Sequence, residues 1–178
     1  MYKAPPPQTH VLCVDEMGPV SAKTYYGRRW SACKQRPYQE ADYGRRAKTW
    51  VFGALEPATG QALTVTAEHR TSAHFIRFLD QLVQQWPHDE IILILDNLSI
   101  HKTLDVRLWL LAHERVRFLF QPTYSPWLNL IEPWWKTLRS LALKGRCFEN
   151  LEQILTAIDS ATSYWNCYRH PYVWRKAA

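Results

Sequence analysis

Asp15 closes the apolar run HVLCVD, Asp96 closes IILILD, and Glu132 stands inside the apolar and aromatic stretch LNLIEPWW. Setting a charge against an apolar face is costly unless something compensates it. Three carboxylates brought together would also repel and raise one another's pKa. A divalent cation removes both penalties. Mg²⁺ takes a few carboxylates together with waters and phosphate oxygens. Two such ions about 3.5–4 Å apart activate a nucleophile and stabilise the leaving oxygen of a phosphodiester. The chemistry on offer is metal-dependent phosphodiester cleavage, with Asp15, Asp96 and Glu132 as catalytic and metal-holding residues and two Mg²⁺ (or Mn²⁺) as cofactors. Each residue also has an ordinary reading. Either aspartate can simply end a strand and open a turn. Glu132 can complete a capping pair with Asn129, three residues earlier. Pro133 weakens that capping version, because it falls where the first intrahelical N–H donor is expected. A helix starting a residue or two later puts Pro133 in its first turn and leaves Glu132 free to face the sheet.

The elements that must position these acids follow from periodicity and breakers. Residues 1–10 read as a Pro-rich arm or linker, because Pro5-Pro6-Pro7 cannot be helical. HVLCVD reads as a buried strand ending at Asp15, Gly18-Pro19 as a turn, and SAKTYYG as a returning strand. Two β-rich runs around Pro57-Ala58-Thr59-Gly60 form a hairpin. Thr71 or Ser72 caps a helix to about Gln85, where Phe75, Ile76, Leu79, Leu82 and Val83 keep helical spacing. IILIL is the pattern of a strand buried on both faces. A helix from about Thr103 to His113 follows, then a strand VRFLF, a helix from about Asn129 to Leu143, and a last helix from about Leu151 to Tyr168. In that third helix Leu128, Ile131, Trp135, Leu138 and Ala142 form a core-facing stripe. Glu132 lies at its margin, with Lys136 and Arg139 on the same flank. Trp134 and Trp135 read as core.

An antiparallel group followed by βαβ-type units implies an α/β fold, a mixed five-stranded sheet flanked by helices. The ribonuclease H-like fold has this order, and residues 11–178 read as one such domain. If the strands ending at Asp15 and Asp96 are parallel neighbours, both carboxylates emerge at one sheet edge, where ligand sites in open α/β sheets lie. Glu16 adjoins Asp15 but points to the opposite face of a continuing strand, which leaves it outside the acidic set.

The chain has 178 residues, enough for one domain with a substantial core, and hydrophobic residues make up 47%, which argues against disorder. No apolar run reaches 18 residues and the start lacks a signal-peptide core, so no membrane partner is indicated and the cytoplasm is the default. None of the four cysteines lies in a C-x-x-C pair of the kind that holds zinc. Net charge is +6, and it is unevenly spread. Arg28, Arg29, Lys34, Arg36, Arg45, Arg46 and Lys48 face only Glu40 and Asp42 in one segment, interleaved with tyrosines and tryptophans. Cations bind phosphates and aromatic faces stack on bases, so this segment, with Lys136 and Arg139, reads either as a DNA-binding surface or as a solvated loop with anchoring aromatics.

The stretches VDEMGPVSAKTYYGRRW, ILILDNLSIH and PTYSPWLNLIEPWW resemble, in order, the three catalytic blocks of mariner-superfamily DDE transposases, with the bacterial insertion-sequence branch nearest. The matching residues are Asp15-Glu16, Asp96-Asn97 through His101, and Tyr124-Ser125-Pro126 through Glu132 and Trp135. The 35 residues between Asp96 and Glu132 match the family's spacing, and WNCYRHPYVW resembles its close. The resemblance implies a ribonuclease H-like catalytic domain whose triad is Asp15, Asp96 and Glu132. It implies metal-dependent cutting of transposon ends and joining of the freed 3′-hydroxyl to target DNA, usually at TA. Asn97 and His101 would orient Asp96 or contact DNA, although His101 also reads as a locally hydrogen-bonded helix-start residue. The implied partners are DNA and a second copy of the chain, in the cytoplasm of a bacterium, on the nucleoid. Members carry helix-turn-helix domains ahead of the catalytic domain. There is no room for them before Asp15, so the expectation is a fragment, a separate reading frame or a remnant. A ribonuclease H-like nuclease without joining activity, and an inactive, domesticated DNA-binding module, are the competing expectations.

Overall fold

In the computed structural model, residues 5–27, 47–122 and 128–172 are described. Strand β1 spans Thr9–Ser21, β2 Thr24–Tyr25, β3 Lys48–Leu55, β4 Ala62–Ala67, β5 Glu90–Leu95, β6 Val116–Phe120 and β7 Arg146–Cys147. The helices are α1 Ser72–Gln85, α2 Leu104–Ala112, α3 Ile131–Ala142 and α4 Leu151–Cys167, with a 3₁₀ turn at Ser99–Lys102. Five strands form one mixed sheet in the order β4-β3-β1-β5-β6. β1, β5 and β6 run parallel, while β3 and β4 run antiparallel to their neighbours. The mixed five-stranded sheet flanked by helices is the arrangement expected from the order of elements.

Alternation along β1 divides the core. Cys13 and Met17 pack with Trp134, Trp135 and Leu138 of α3 and with Ile154 and Ile158 of α4. Leu12 and Val14 pack on the other face with Phe75, Phe78 and Leu79 of α1 and Val106 of α2. Residues on β1 are therefore assigned to one helical layer or the other by parity alone. α1 starts where its cap predicts, with the Thr71 side chain accepting from the His74 N–H.

Four expectations shift. β1 begins at Thr9, within the stretch read as an arm. It does not stop at Asp15 but runs to Ser21, so Gly18-Pro19 is not a turn between two strands. From Met17 to Val20 three steps on β1 match two on β3, the extra residue of a bulge. The bulge absorbs the two strand breakers without ending the strand. What was read as a returning strand is only the two-residue β2, which pairs with β7 in a separate small sheet. α3 begins at Ile131, two residues after the anticipated start, and Pro133 then lies in its first turn, where a missing N–H costs nothing.

Candidate active site

Asp15 lies within β1, two residues from Met17, on the face covered by α3. The β1–β5 register pairs Cys13 with Ile94. Carried two residues further, it sets Asp15 level with Asp96, which immediately follows β5. Parallel pairing of adjacent strands thus brings the two aspartates to one level, as anticipated.

Asp15 is held from α3. Trp135 Nε1 donates to Asp15 Oδ2 at 2.9 Å, and the Trp135 ring is almost wholly buried. The ring reaches across the sheet because the residue opposite Asp15 on β3 is Gly53. A Cβ at Gly53 would overlap the Trp135 six-membered ring. Gly53→Ala should therefore cost about 1–3 kcal/mol through overpacking, or roughly 2–4 °C of melting temperature per kcal/mol. It should also displace the indole from Asp15. Thermal denaturation checks the first effect, and the tryptophan emission spectrum the second. Asn129 adds a second brace: its Nδ2 donates to the Val14 carbonyl at 3.0 Å, and its carbonyl accepts from the Glu132 N–H at 3.3 Å. Asn129 Oδ1 also accepts from the Ile131 N–H at 3.4 Å, so the residue expected to cap α3 both meets its first turn and ties it onto β1, one residue before Asp15.

The two aspartates are driven in opposite directions. Burial pushes the Asp15 carboxyl up to about 7, and the charges of Glu16 and Glu132 add to this against hydrogen bonds from Glu16 and Trp135. Asp96 is lowered, first by its hydrogen bond with His101, against partial burial, with the Leu98 N–H assisting. Leu98 N donates to Asp96 Oδ1 at 2.9 Å, and His101 Nδ1 lies 3.3 Å from the same oxygen. His101 Nε2 lies 2.9 Å from Glu16 Oε1, with both side chains essentially inaccessible. Burial alone would push His101 down, but its hydrogen bonds to Asp96 and Glu16 outweigh that and raise it to about 9. In its protonated form, which these contacts favour, His101 donates from both nitrogens, to Glu16 on one side and Asp96 on the other. The Phe75 ring packs 4.5 Å from it.

A buried acid with a raised pKa favours the native state while it is protonated. The Asp15 contribution is full below the ordinary carboxylate range and disappears as pH rises through about 7. Without metal, stability should thus fall between about pH 4 and pH 7 from this group. Asp15→Asn should flatten that part of the profile, as urea titrations across the pH range would register.

Glu132 opens α3 in an exposed position, close enough for its charge to raise Asp15. The donors are hard carboxylate oxygens, which suit Mg²⁺ or Mn²⁺. A buried carboxyl near pH 7 is a group that a nearby cation would keep ionised. Among the described residues, however, no three His, Cys, Asp or Glu side chains gather closely enough to hold one ion. The Asn97 side chain bonds away from Asp96. Its Nδ2 donates to the Gln121 carbonyl at 2.6 Å, and its Oδ1 accepts from Lys102 at 2.6 Å, which joins the ends of β5 and β6. Lys136 and Arg139 are exposed on α3, and Lys48 is exposed at the start of β3. Arg28, Arg29, Lys34, Arg36, Arg45 and Arg46 lie outside the described residues, as do Tyr124, Ser125 and Pro126.

Sequence reasoning placed Glu16 on the opposite face correctly but missed its partnership with His101. It assigned Trp135 to the core and missed its bond to Asp15. The available signals were parity for Glu16, an i+3 step from Glu132 for Trp135, and a glycine inside a strand for Gly53.

Residues 10–155 match the DDE superfamily endonuclease family. An uncharacterised 39 kDa protein of insertion element IS630 from Shigella sonnei is 32% identical over 116 residues, 65% of this chain and 34% of its own length. Among solved structures, the Mos1 transposase in a paired-end complex with the left transposon end aligns over 96% of this chain and 52% of its own, with a TM-score of 0.68 at 17% identity. A chain of a simian T-cell lymphotropic virus intasome, in complex with the PP2A regulatory subunit B56 gamma, aligns over 88% of this chain and 47% of its own, with a TM-score of 0.60 at 13% identity. The chain spans about a third of the length of the insertion-element protein and about half of each structural neighbour. At these identities the structural neighbours establish the fold alone, a ribonuclease H-like one. With the family match over most of its length, the chain belongs to the DDE superfamily endonucleases.

Proposed function

We propose that this chain is a transposase catalytic domain that cuts DNA at transposon ends and joins the freed 3′-hydroxyl to target DNA, at TA sites, with Asp15, Asp96 and Glu132 as its acids. The observation that carries this reading is the level placement of Asp15 and Asp96 on adjacent parallel strands, with the Glu132 helix bonded to Asp15 through Trp135. Two divalent ions, Mg²⁺ or Mn²⁺, would be held by these acids and, when bound, supply Lewis acidity for the attacking and leaving oxygens.

The residues have separable tasks. Trp135 fixes one Asp15 oxygen and leaves the other for ligation. His101 fixes one Asp96 oxygen and keeps the carboxyl ionised, and Asn97 holds the strand ends that flank it. Glu132, exposed at the start of α3, completes the set at the solvent side, where DNA arrives. In the first step water attacks the phosphodiester, the P–O3′ bond breaks, and a 3′-hydroxyl is released. In the second, that hydroxyl attacks a target phosphodiester and displaces its 3′-oxygen, so one bond forms as one breaks. Lys136 and Arg139, one and two turns beyond Glu132, contact the DNA backbone, together with the basic residues from Arg28 to Lys48. Pairing two ends calls for a homodimer. The setting is the bacterial cytoplasm, on nucleoid DNA.

The test is incubation with supercoiled plasmid and a labelled duplex with a free 3′-hydroxyl, with Mn²⁺ or with chelator. Metal-dependent nicking plus transfer of label into plasmid supports the reading. Nicking without label transfer would reduce it to a nuclease, and neither activity would overturn it.

A further inference from the structure

A cavity of about 650 Å³ is lined by β1 beyond Asp15, the β2 region and the outer side of α3. Its walls carry Lys23, Lys136, Arg139 and Lys144 as cations and Tyr25 and Tyr26 as aromatics, and among the described residues no acidic one lines it. It shares β1 with Asp15 and α3 with Glu132. Met17, on its wall, follows Asp15 by one strand repeat. Lys136 follows Glu132 by one helical turn. Arg139 is seated against the strand, with Nε 3.2 Å from Met17 Sδ. The Tyr25 hydroxyl donates to the Ser21 carbonyl at 2.9 Å, its ring meets Phe148 edge-on, and Lys23 sits 5.3 Å above it. One aromatic wall is therefore fixed in place. The Tyr26 side is 39% exposed.

The shape and the chemistry select among DNA ligands. A duplex offers a convex rail of phosphates and keeps its base faces stacked inside. It would use the cations and leave the tyrosines idle. The volume is that of a small-molecule pocket, and cations beside aromatic faces are the features that hold unpaired nucleotides. We propose that this cavity binds an unpaired nucleotide of the substrate DNA strand next to the scissile phosphate. Lys136, Arg139 and Lys144 take the phosphate and Tyr26 stacks on the base. The proposal rests on the transposase reading above, because it places the scissile phosphate at the three acids.

The test uses the whole chain in chelator, so that no cleavage is needed. Fluorescence anisotropy compares a fluorescein-labelled ten-nucleotide oligothymidine with a blunt ten-base-pair duplex, for the wild type, Tyr26→Ala and Tyr26→Phe. The expected result is a threefold or greater loss of single-strand affinity in Tyr26→Ala, restoration in Tyr26→Phe, and duplex affinity unchanged within twofold in both. A smaller loss, an equal loss on the duplex, or no single-strand binding by the wild type would overturn the proposal. Mn²⁺-dependent plasmid nicking by the same wild-type preparation scores the cleavage reaction separately, so either idea can fail while the other stands.

Discussion

Glu132→Gln and Asp96→Asn should each reduce metal-dependent plasmid nicking by about a thousandfold or more. Lewis-acid stabilisation of a phosphoryl transition state is worth several kcal/mol, and each 1.36 kcal/mol is tenfold in rate. The loss should come without unfolding. Glu132 is exposed, and substitutions at exposed positions away from special features stay within about ±0.5 kcal/mol. Asp96→Asn keeps an oxygen for the Leu98 N–H. Asp15→Asn is the informative contrast, since it should be as inactive as the others yet more stable at neutral pH in metal-free buffer. Removing an acid that burial disfavours in its charged form exchanges function for stability. Nicking rates and urea midpoints on one set of preparations would read both effects.

His101→Ala should be the most destabilising single change near the site. It removes the cation from Glu16, whose side chain is as inaccessible as that of His101. Breaking a buried pair by deleting one partner costs about 3–5 kcal/mol, and the vacated space beside Phe75 adds to this. The pH dependence has a definite sign. His101 is raised in the native state, so its stabilising contribution is complete below its ordinary pKa and is lost as pH climbs through about 9. Glu16→Gln should keep a hydrogen bond but move the His101 titration down, which an NMR pH titration of the imidazole would follow. If His101 titrates near its ordinary value in the wild type, the Glu16–His101–Asp96 connection is not as described.

The framework was legible because it depends on period and punctuation. Thr71 caps α1, IILIL gives β5, VRFLF gives β6, and the start of α4 at Leu151 was placed to the residue. The sequence read Asp15 and Asp96 as the ends of core strands, and the parallel β1–β5 register supplies the adjacency that reading left conditional. What failed was local and depended on tertiary contacts. Gly18-Pro19 has the composition of a turn, yet pairing with β3 carries the strand through it as a bulge. Asn129 meets the Ile131 N–H with its side-chain oxygen as a cap residue can, but its amide nitrogen goes to the Val14 carbonyl, a contact no local pattern announces. The links from Glu16 to His101 and from Trp135 to Asp15 join residues 85 and 120 positions apart. Periodicity assigns each to a face, but partners so distant in sequence are set by how the helices dock, which periodicity does not encode.

The central claim is that Asp15, Asp96 and Glu132 converge on divalent metal when substrate is present. Its most direct test is calorimetric titration of Mn²⁺ into the chain bound to a nicked duplex, for the wild type, Asp96→Asn and Glu132→Gln. The account predicts binding by the wild type that is lost in both variants. Mn²⁺ binding that survives both substitutions, or a wild type that binds none even with DNA, would contradict it.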